Sequence, residues 1–339
     1  MLLFIFYIGL AGIGTAVTWK GSGLLELASD RLARHYRLPA IVQGAVIAAV
    51  GSSFPELSAT VISTLLHGDF DLGVASIVGS AIFNILVIPG VSGLVGRRLQ
   101  ADINLVYKDV QFYIISVATL LLAFSFAVIY HPVSGADLVG SMTRPIALAP
   151  VLLYGLYLFV QQQDTREKWA AENSVQQNSR VSPLREWLRL IAGLLLIIAG
   201  VEGLLRSALG LGELLNTPSS LWGLTVVAAG TSLPDMFISV KTARKGQGVV
   251  SLANVLGSNI FDLLIAVPAG ILIVGSSAVN FSIAAPLMGF LTLATIVLFT
   301  TLRTRLTLYR GEAVLLLVLY VLFVTWMILE TTGVTGLVF

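Results

Sequence analysis

The chain has 339 residues, of which 56% are hydrophobic and only 11% charged, with 20 Lys and Arg against 18 Asp and Glu and a net charge of +2. A soluble domain carries about 25% charged residues, so this composition cannot cover a surface that faces water and points to an integral membrane protein. The absence of cysteine excludes disulfides and thiolate metal sites, and no Walker motif or nucleotide domain is present to couple ATP to work.

A helix needs about 20 mostly apolar residues to cross a bilayer. Ten segments meet that criterion in chain order: 2–18, 38–66, 72–96, 110–130, 145–162, 188–206, 220–240, 249–274, 279–302 and 313–332. The first, "MLLFIFYIGLAGIGTAV", has no basic n-region or small-residue cleavage site, so a retained span is expected rather than a signal peptide. The longest polar stretch, 163–187, separates residues 1–162 from 188–339 and leaves five spans on each side. It is expected to be a linker rather than a regulatory domain.

The basic residues give an independent test of this count. Loops after odd-numbered spans hold 18 of the 20 Lys and Arg; the other side has only Arg144 and Arg206. The positive-inside rule then puts the 18 in the cytoplasm and both termini outside, in a multi-pass protein expected in the cell membrane.

Two blocks recur. "GAVIAAVGSSFPELSATV" from Gly44 matches "GLTVVAAGTSLPDMFISV" from Gly223 at an offset of 179, and "GSAIFNILVIPG" from Gly79 matches "GSNIFDLLIAVPAG" from Gly257 at 178. They occupy the second and third spans of each half, which indicates an internal duplication. An odd number of spans per half turns the second copy over. The expected fold is therefore all-α, ten transmembrane helices in two inverted five-helix repeats, a construction of secondary transporters with the site at midplane.

Proline within a helix removes one donor and displaces the carbonyl four residues earlier. Pro55 and Pro234 therefore predict broken core helices, unwound at Gly51 and Gly230. Freed carbonyls at membrane depth are tolerated only in a buried or water-lined place, where they are hard ligands for Na⁺ or Ca²⁺. A blander reading makes Ser53-x-x-Glu56 and Ser232-x-x-Asp235 helix N-caps. A cap contributes about 1 kcal/mol, whereas a central carboxylate costs roughly 2.5–3.5 kcal/mol, so capping does not account for the charge. The second block adds Ser80 with Asn84 and Ser258 with Asp262, each pair on one helical face; helix packing alone would suffice for Ser80, Ser258 and Asn259, but not for Asp262. Without nearby His or Cys, these oxygens favour hard cations.

Both blocks resemble the alpha repeats of the cation/calcium antiporter superfamily, in particular its sodium/calcium exchangers, over Gly44–Gly90 and Gly223–Gly270. The resemblance implies antiport of Na⁺ against Ca²⁺ by alternating access, with spans one and six sliding over a rigid core. It also implies the ligand set. Glu56 and Asp235 would bind Ca²⁺ and share Na⁺, helped by Ser52, Ser53, Thr231 and Ser232. Ser80, Asn84, Ser258 and Asp262 would complete the ring, with backbone carbonyls from Ala49 and Ala228. Asp235, where many prokaryotic exchangers have glutamate, looks like the potassium-dependent branch and leaves K⁺ co-transport open. Neither block has the G-N-x-x-E of proton/calcium exchangers, which makes H⁺/Ca²⁺ antiport the runner-up.

A passive cation channel would also use buried carboxylates and broken helices. An intramembrane aspartyl protease would need a GxGD pattern that is absent. No enzyme chemistry, resident cofactor or nucleic-acid partner is expected; Ca²⁺, Na⁺ and the bilayer are the partners. Among other polar residues, Glu202 is expected to snorkel, Asp69 and Asp71 to be solvated in a short outer loop, and His67 to have no ligand role.

Overall fold

The computed structural model describes residues 1–36, 49–96, 99–103, 105–169 and 182–331. It is almost wholly helical. Nine helical segments among the described residues are long and apolar enough to cross a membrane. The expected span 38–66 falls partly on residues outside the described ones; its described part is α2 (Ala49–Leu65). The expected linker is helical at both ends, since α5 (Arg144–Trp169) and α6 (Pro183–Leu215) extend into it, and its middle, 170–181, lies outside the described residues.

The centre is α3 (Phe70–Val95), apolar on every side and buried on every side, as an all-round hydrophobic helix must be. Around it pack α2, α8 (Ala228–Arg244), α11 (Phe281–Arg305) and α12 (Arg310–Thr331). Gly79 lets α3 press against the backbone of Leu224, leaving no room for a Cβ.

Helix α1 (Leu2–His35) runs well past the expected 2–18. At 1.5 Å per residue it is about 50 Å long, against about 30 Å of hydrocarbon. Its polar second half stays helical because a stripe of mostly small residues, Ala11, Gly14, Thr18, Gly21, Leu25 and Ala28, continues through it and is buried. That stripe meets α6, which runs antiparallel. A Cβ on Gly14 would lie 2.7 Å from the carbonyl oxygen of Gly200, and one on Gly21 would lie 2.9 Å from that of Gly193. Small residues at this spacing allow backbone-to-backbone approach. Gly14 and Gly193 are 179 residues apart, as are Gly21 and Gly200. The two contacts therefore exchange when the halves exchange, at the same offset as the motifs.

Two short ribbons have the same property. β1 (Leu99–Gln100), which follows α3, pairs antiparallel with β4 (Thr307–Leu308), which precedes α12. β3 (Ser276–Asn280), which follows α10 (Val267–Val274), pairs antiparallel with β2 (Val139–Thr143), which precedes α5. Each joins the halves, and they sit at opposite ends of the bundle.

The helices are not unwound at the glycines. α2 continues through Pro55 and α8 through Pro234. The irregularity appears instead as π-helical turns at Gly223–Val227, between the short α7 (Ser219–Trp222) and α8, and at Asp262–Ala266, between α9 (Gly248–Phe261) and α10. A π-turn widens the helix by one residue without abandoning hydrogen bonding, and such turns concentrate at functional sites.

Candidate functional site

The motif residues converge from four segments around α3. Ser53 and Glu56 come from α2, Ser80 and Asn84 from α3, Thr231, Ser232 and Asp235 from α8, Ser258 from α9, and Asp262 opens the π-turn after α9. All nine are at most 2% exposed, while Ser52 is partly buried.

The hydroxyls settle the capping alternative. Because α2 is already helical from Ala49 and α8 follows its π-turn without a break, Ser53 and Ser232 lie inside helices rather than at their starts. They reach across instead. Ser232 Oγ lies 2.7 Å from Ser80 Oγ, Ser80 Oγ donates to Glu56 Oε1 at 3.4 Å, and Ser53 Oγ donates to the carbonyl of Ser258 at 3.4 Å. These contacts link α2, α3, α8 and α9. Two hydroxyls also bond to nearby backbone: Thr231 Oγ1 donates to the carbonyls of Val227 and Ala228, both at 3.2 Å, and Ser258 Oγ to that of Val255 at 3.1 Å. The Ala228 carbonyl, implied as an ion ligand, is thus already engaged by Thr231. Ala49 is the first described residue of α2.

What is left unpaired is informative. Glu56 Oε2, Asn84 Oδ1, Asp235 Oδ1 and both carboxylate oxygens of Asp262 are buried without a hydrogen-bond partner. Buried polar atoms are nearly always satisfied, and each exception costs about 1–3 kcal/mol. All five are hard acceptor oxygens, and they come from both halves. They fit a dehydrated Na⁺ or Ca²⁺ and fit nothing apolar. Among the described residues, no three Asp, Glu or His side chains are grouped closely enough to hold a single metal ion. Coordination here must combine carboxylates with amide, hydroxyl and carbonyl oxygens.

The structure adds residues that the motifs did not assign. Asn84 Nδ2 donates to Asn259 Oδ1 at 2.9 Å, which turns Asn84 Oδ1 away as the free oxygen. Asn259 is itself held by donation to the carbonyl of Ala81 at 3.2 Å and to Tyr113 Oη at 3.3 Å. Asn259 sits beside Ser258 in the second block and was legible there only as packing; Tyr113, fully buried in α4 (Val110–Tyr130), carried no signal.

A cavity of about 200 Å³ opens beside the motif, where α1, α2 and α8 meet. Ser52 and Asp235 line it, as do Ser22, Glu26 and Lys241. Trp19 and Phe237 stack beside it, centroids 4.3 Å apart and nearly parallel.

The opposite end of α6 is tied down. Glu202 accepts from Arg206 Nε at 2.6 Å and lies 3.0 Å from His67 Nε2, just beyond α2. Glu202 therefore does not simply snorkel, and His67 is not idle. Asp69 and Asp71 are not merely solvated either. Asp69 caps α3, accepting from the Leu72 amide at 2.8 Å, and accepts from Ser219 Oγ at 2.7 Å; Asp71 accepts from the Asn280 amide at 3.1 Å.

Comparison with known proteins gives the family of the chain. The sodium/calcium exchanger protein family matches residues 3–162 and 185–329. The sodium/calcium exchanger MaX1 of Methanosarcina acetivorans is 24% identical over 92% of this chain and 95% of its own. Human sodium/potassium/calcium exchanger 5 is 53% identical over 53 residues, 16% of this chain and 11% of its own. A solved structure of the sodium-calcium exchanger NCX_Mj, soaked with Na⁺ and Sr²⁺, superposes with a TM-score of 0.58 at 26% identity, covering 95% of this chain and 98% of that one. The family match covers nearly the whole chain on both sides of the linker, in agreement with the resemblance of the two repeated blocks, and the chain belongs to the sodium/calcium exchanger family.

Proposed function

We propose that this protein exchanges Na⁺ for Ca²⁺ across the membrane by alternating access, with Glu56, Asn84, Asp235 and Asp262 as the principal ligands. The observation that carries this reading is the set of five buried, unpartnered oxygens on those four residues. Ser52, Ser53, Ser80, Thr231, Ser232 and Ser258 complete the polar lining, with carbonyls of Ala49 and Ala228. The ions are cargo, so neither a resident cofactor nor a chemical step is called for.

Charge supplies the coupling. Three carboxylates carry three negative charges; one Ca²⁺ leaves one, three Na⁺ leave none, and Ca²⁺ with K⁺ leaves none. An empty site would take its full charge through a dry intermediate, which is expensive at membrane depth. Loaded sites cross and empty ones do not. Asp235 and the local identity to an exchanger whose name includes potassium support K⁺ as a further passenger, acting through Asp262.

The reciprocal Gly14–Gly200 and Gly21–Gly193 contacts and the exchanged ribbons support two inverted five-helix repeats, 1–162 and 188–339, joined by the linker 163–187. The basic-residue distribution supports a cell-membrane protein with both termini outside, and on that orientation the cavity beside Asp235 opens to the cytoplasm. The test is ⁴⁵Ca²⁺ uptake into Na⁺-loaded proteoliposomes. Uptake is expected to require the Na⁺ gradient and to vanish in Glu56→Gln and Asp235→Asn. Uptake that follows a pH gradient would establish proton coupling, and flux without a counter-ion would establish a channel.

A further inference from the structure

We propose that Ser22 and Glu26 of α1 form a vestibular site for a hard cation, which loads ions onto Asp235 from one side of the membrane only. The inference rests on the exchange reading above and adds a residue pair outside both repeated motifs. Ser22 and Glu26 are four apart and share a helical face. Both line the same cavity as Ser52 and Asp235. The backbone of Glu26 lies beside the opening of the first motif, 3.9 Å from where a Cβ on Gly51 would be.

Two observations point to a ligand. Ser22 Oγ is buried and has no hydrogen-bond partner, although a helical serine can ordinarily donate to its own backbone. The neighbouring acidic residues of this helix pair are all committed: Asp30 to Arg34, and Glu186 to Arg31 and Arg189. Glu26 makes no ion pair among the described residues. A carboxylate and a hydroxyl on one cavity wall are a two-oxygen partial shell, and water in the cavity supplies the remainder. Such a site takes Na⁺ or Ca²⁺ partly hydrated.

Lys241 lines the same cavity on α8. Its ammonium competes with an arriving cation and keeps the vestibular site weak. That suits a staging position, where an ion must bind well enough to arrive and loosely enough to move on. Glu26 then concentrates cations next to Asp235, and strips part of their water before they reach the drier motif.

The experiment measures Na⁺-driven ⁴⁵Ca²⁺ exchange in proteoliposomes of known orientation, with half-saturating Ca²⁺ determined separately at each face. Glu26→Gln is expected to raise half-saturation about tenfold, the low end of electrostatic focusing, at the face where the cavity opens. The other face and the maximal rate should stay unchanged. Ser22→Ala should shift the same face in the same direction by less, Glu26→Asp should recover part of the loss, and Lys241→Gln should lower half-saturation there. Equal shifts at both faces, or none in Glu26→Gln and Ser22→Ala alike, would overturn the proposal. A wild type without Na⁺-driven uptake would instead remove the exchange reading itself, so the two failures are distinguishable.

Discussion

Asp262 offers the sharpest test of the central site, because it holds two buried oxygens with no partner and a charge at membrane depth. Without ions, each such oxygen costs about 1–3 kcal/mol, and a central carboxylate roughly 2.5–3.5 kcal/mol on insertion scales. Asp262→Asn removes the charge while keeping the shape and one acceptor. We expect the ion-free protein to gain about 1–3 kcal/mol, which at about 2–4 °C per kcal/mol raises its melting midpoint by about 2–12 °C. Calcium reverses the order. At a hundred times its dissociation constant it stabilises the wild type by about 2.7 kcal/mol, whereas the variant, missing one charge, gains little at that concentration. Five tryptophans make intrinsic fluorescence a convenient readout for melts in detergent, in chelator and across a Ca²⁺ titration. The two curves should cross. A variant less stable than wild type in chelator, with parallel gains in Ca²⁺, would mean that Asp262 is a structural residue and that the unpaired oxygens do not mark an ion site.

Three further outcomes follow from the contacts around the site. Gly200→Leu drives a side chain into the Gly14 backbone, and overpacking of this kind costs about 1–3 kcal/mol; transport should fall and the melting midpoint drop, whereas Gly9→Leu, with open space around it, should alter neither. Tyr113→Phe removes the hydroxyl that holds Asn259, and losing about 1 kcal/mol of orientation should weaken Ca²⁺ half-saturation about fivefold at both faces. Glu202→Gln loosens the tie from α6 to His67 and should shift the population away from the state seen here, so a single cysteine at Gly23→Cys, which lines the cavity beside Asp235, should react more slowly with a water-soluble maleimide in this cysteine-free chain.

The motif residues were legible because the duplication repeats them at a constant offset and because carboxylates in apolar spans have no structural excuse. The length of α1 was not. Lys20, Glu26, Asp30 and Arg34 resemble a loop in a hydropathy scan, yet the small residues interleaved with them continue the stripe that packs on α6. That stripe was hidden by chemistry, since glycine and alanine give little hydropathy signal while allowing the closest packing. Pro55 and Pro234 correctly marked the core helices but suggested unwinding, whereas the chain relaxes into π-turns that no residue type announces. Tyr113 and His67 gained their roles only from partners far along the chain, and Asn259 gained its own from Asn84 across the repeat.

The ribbons carry a consequence for biogenesis. β1 leaves the ribosome about 200 residues before β4, and at about 5–20 residues per second its partner follows about 10–40 s later. β2 waits similarly for β3. During that interval β1 and β2 have no partner strand, and α3 lacks the second-half helices that enclose it. The two halves therefore mature as one kinetic unit. A nascent chain halted before Thr307 has already made all four motif segments but has no means of closing the ribbon at that face.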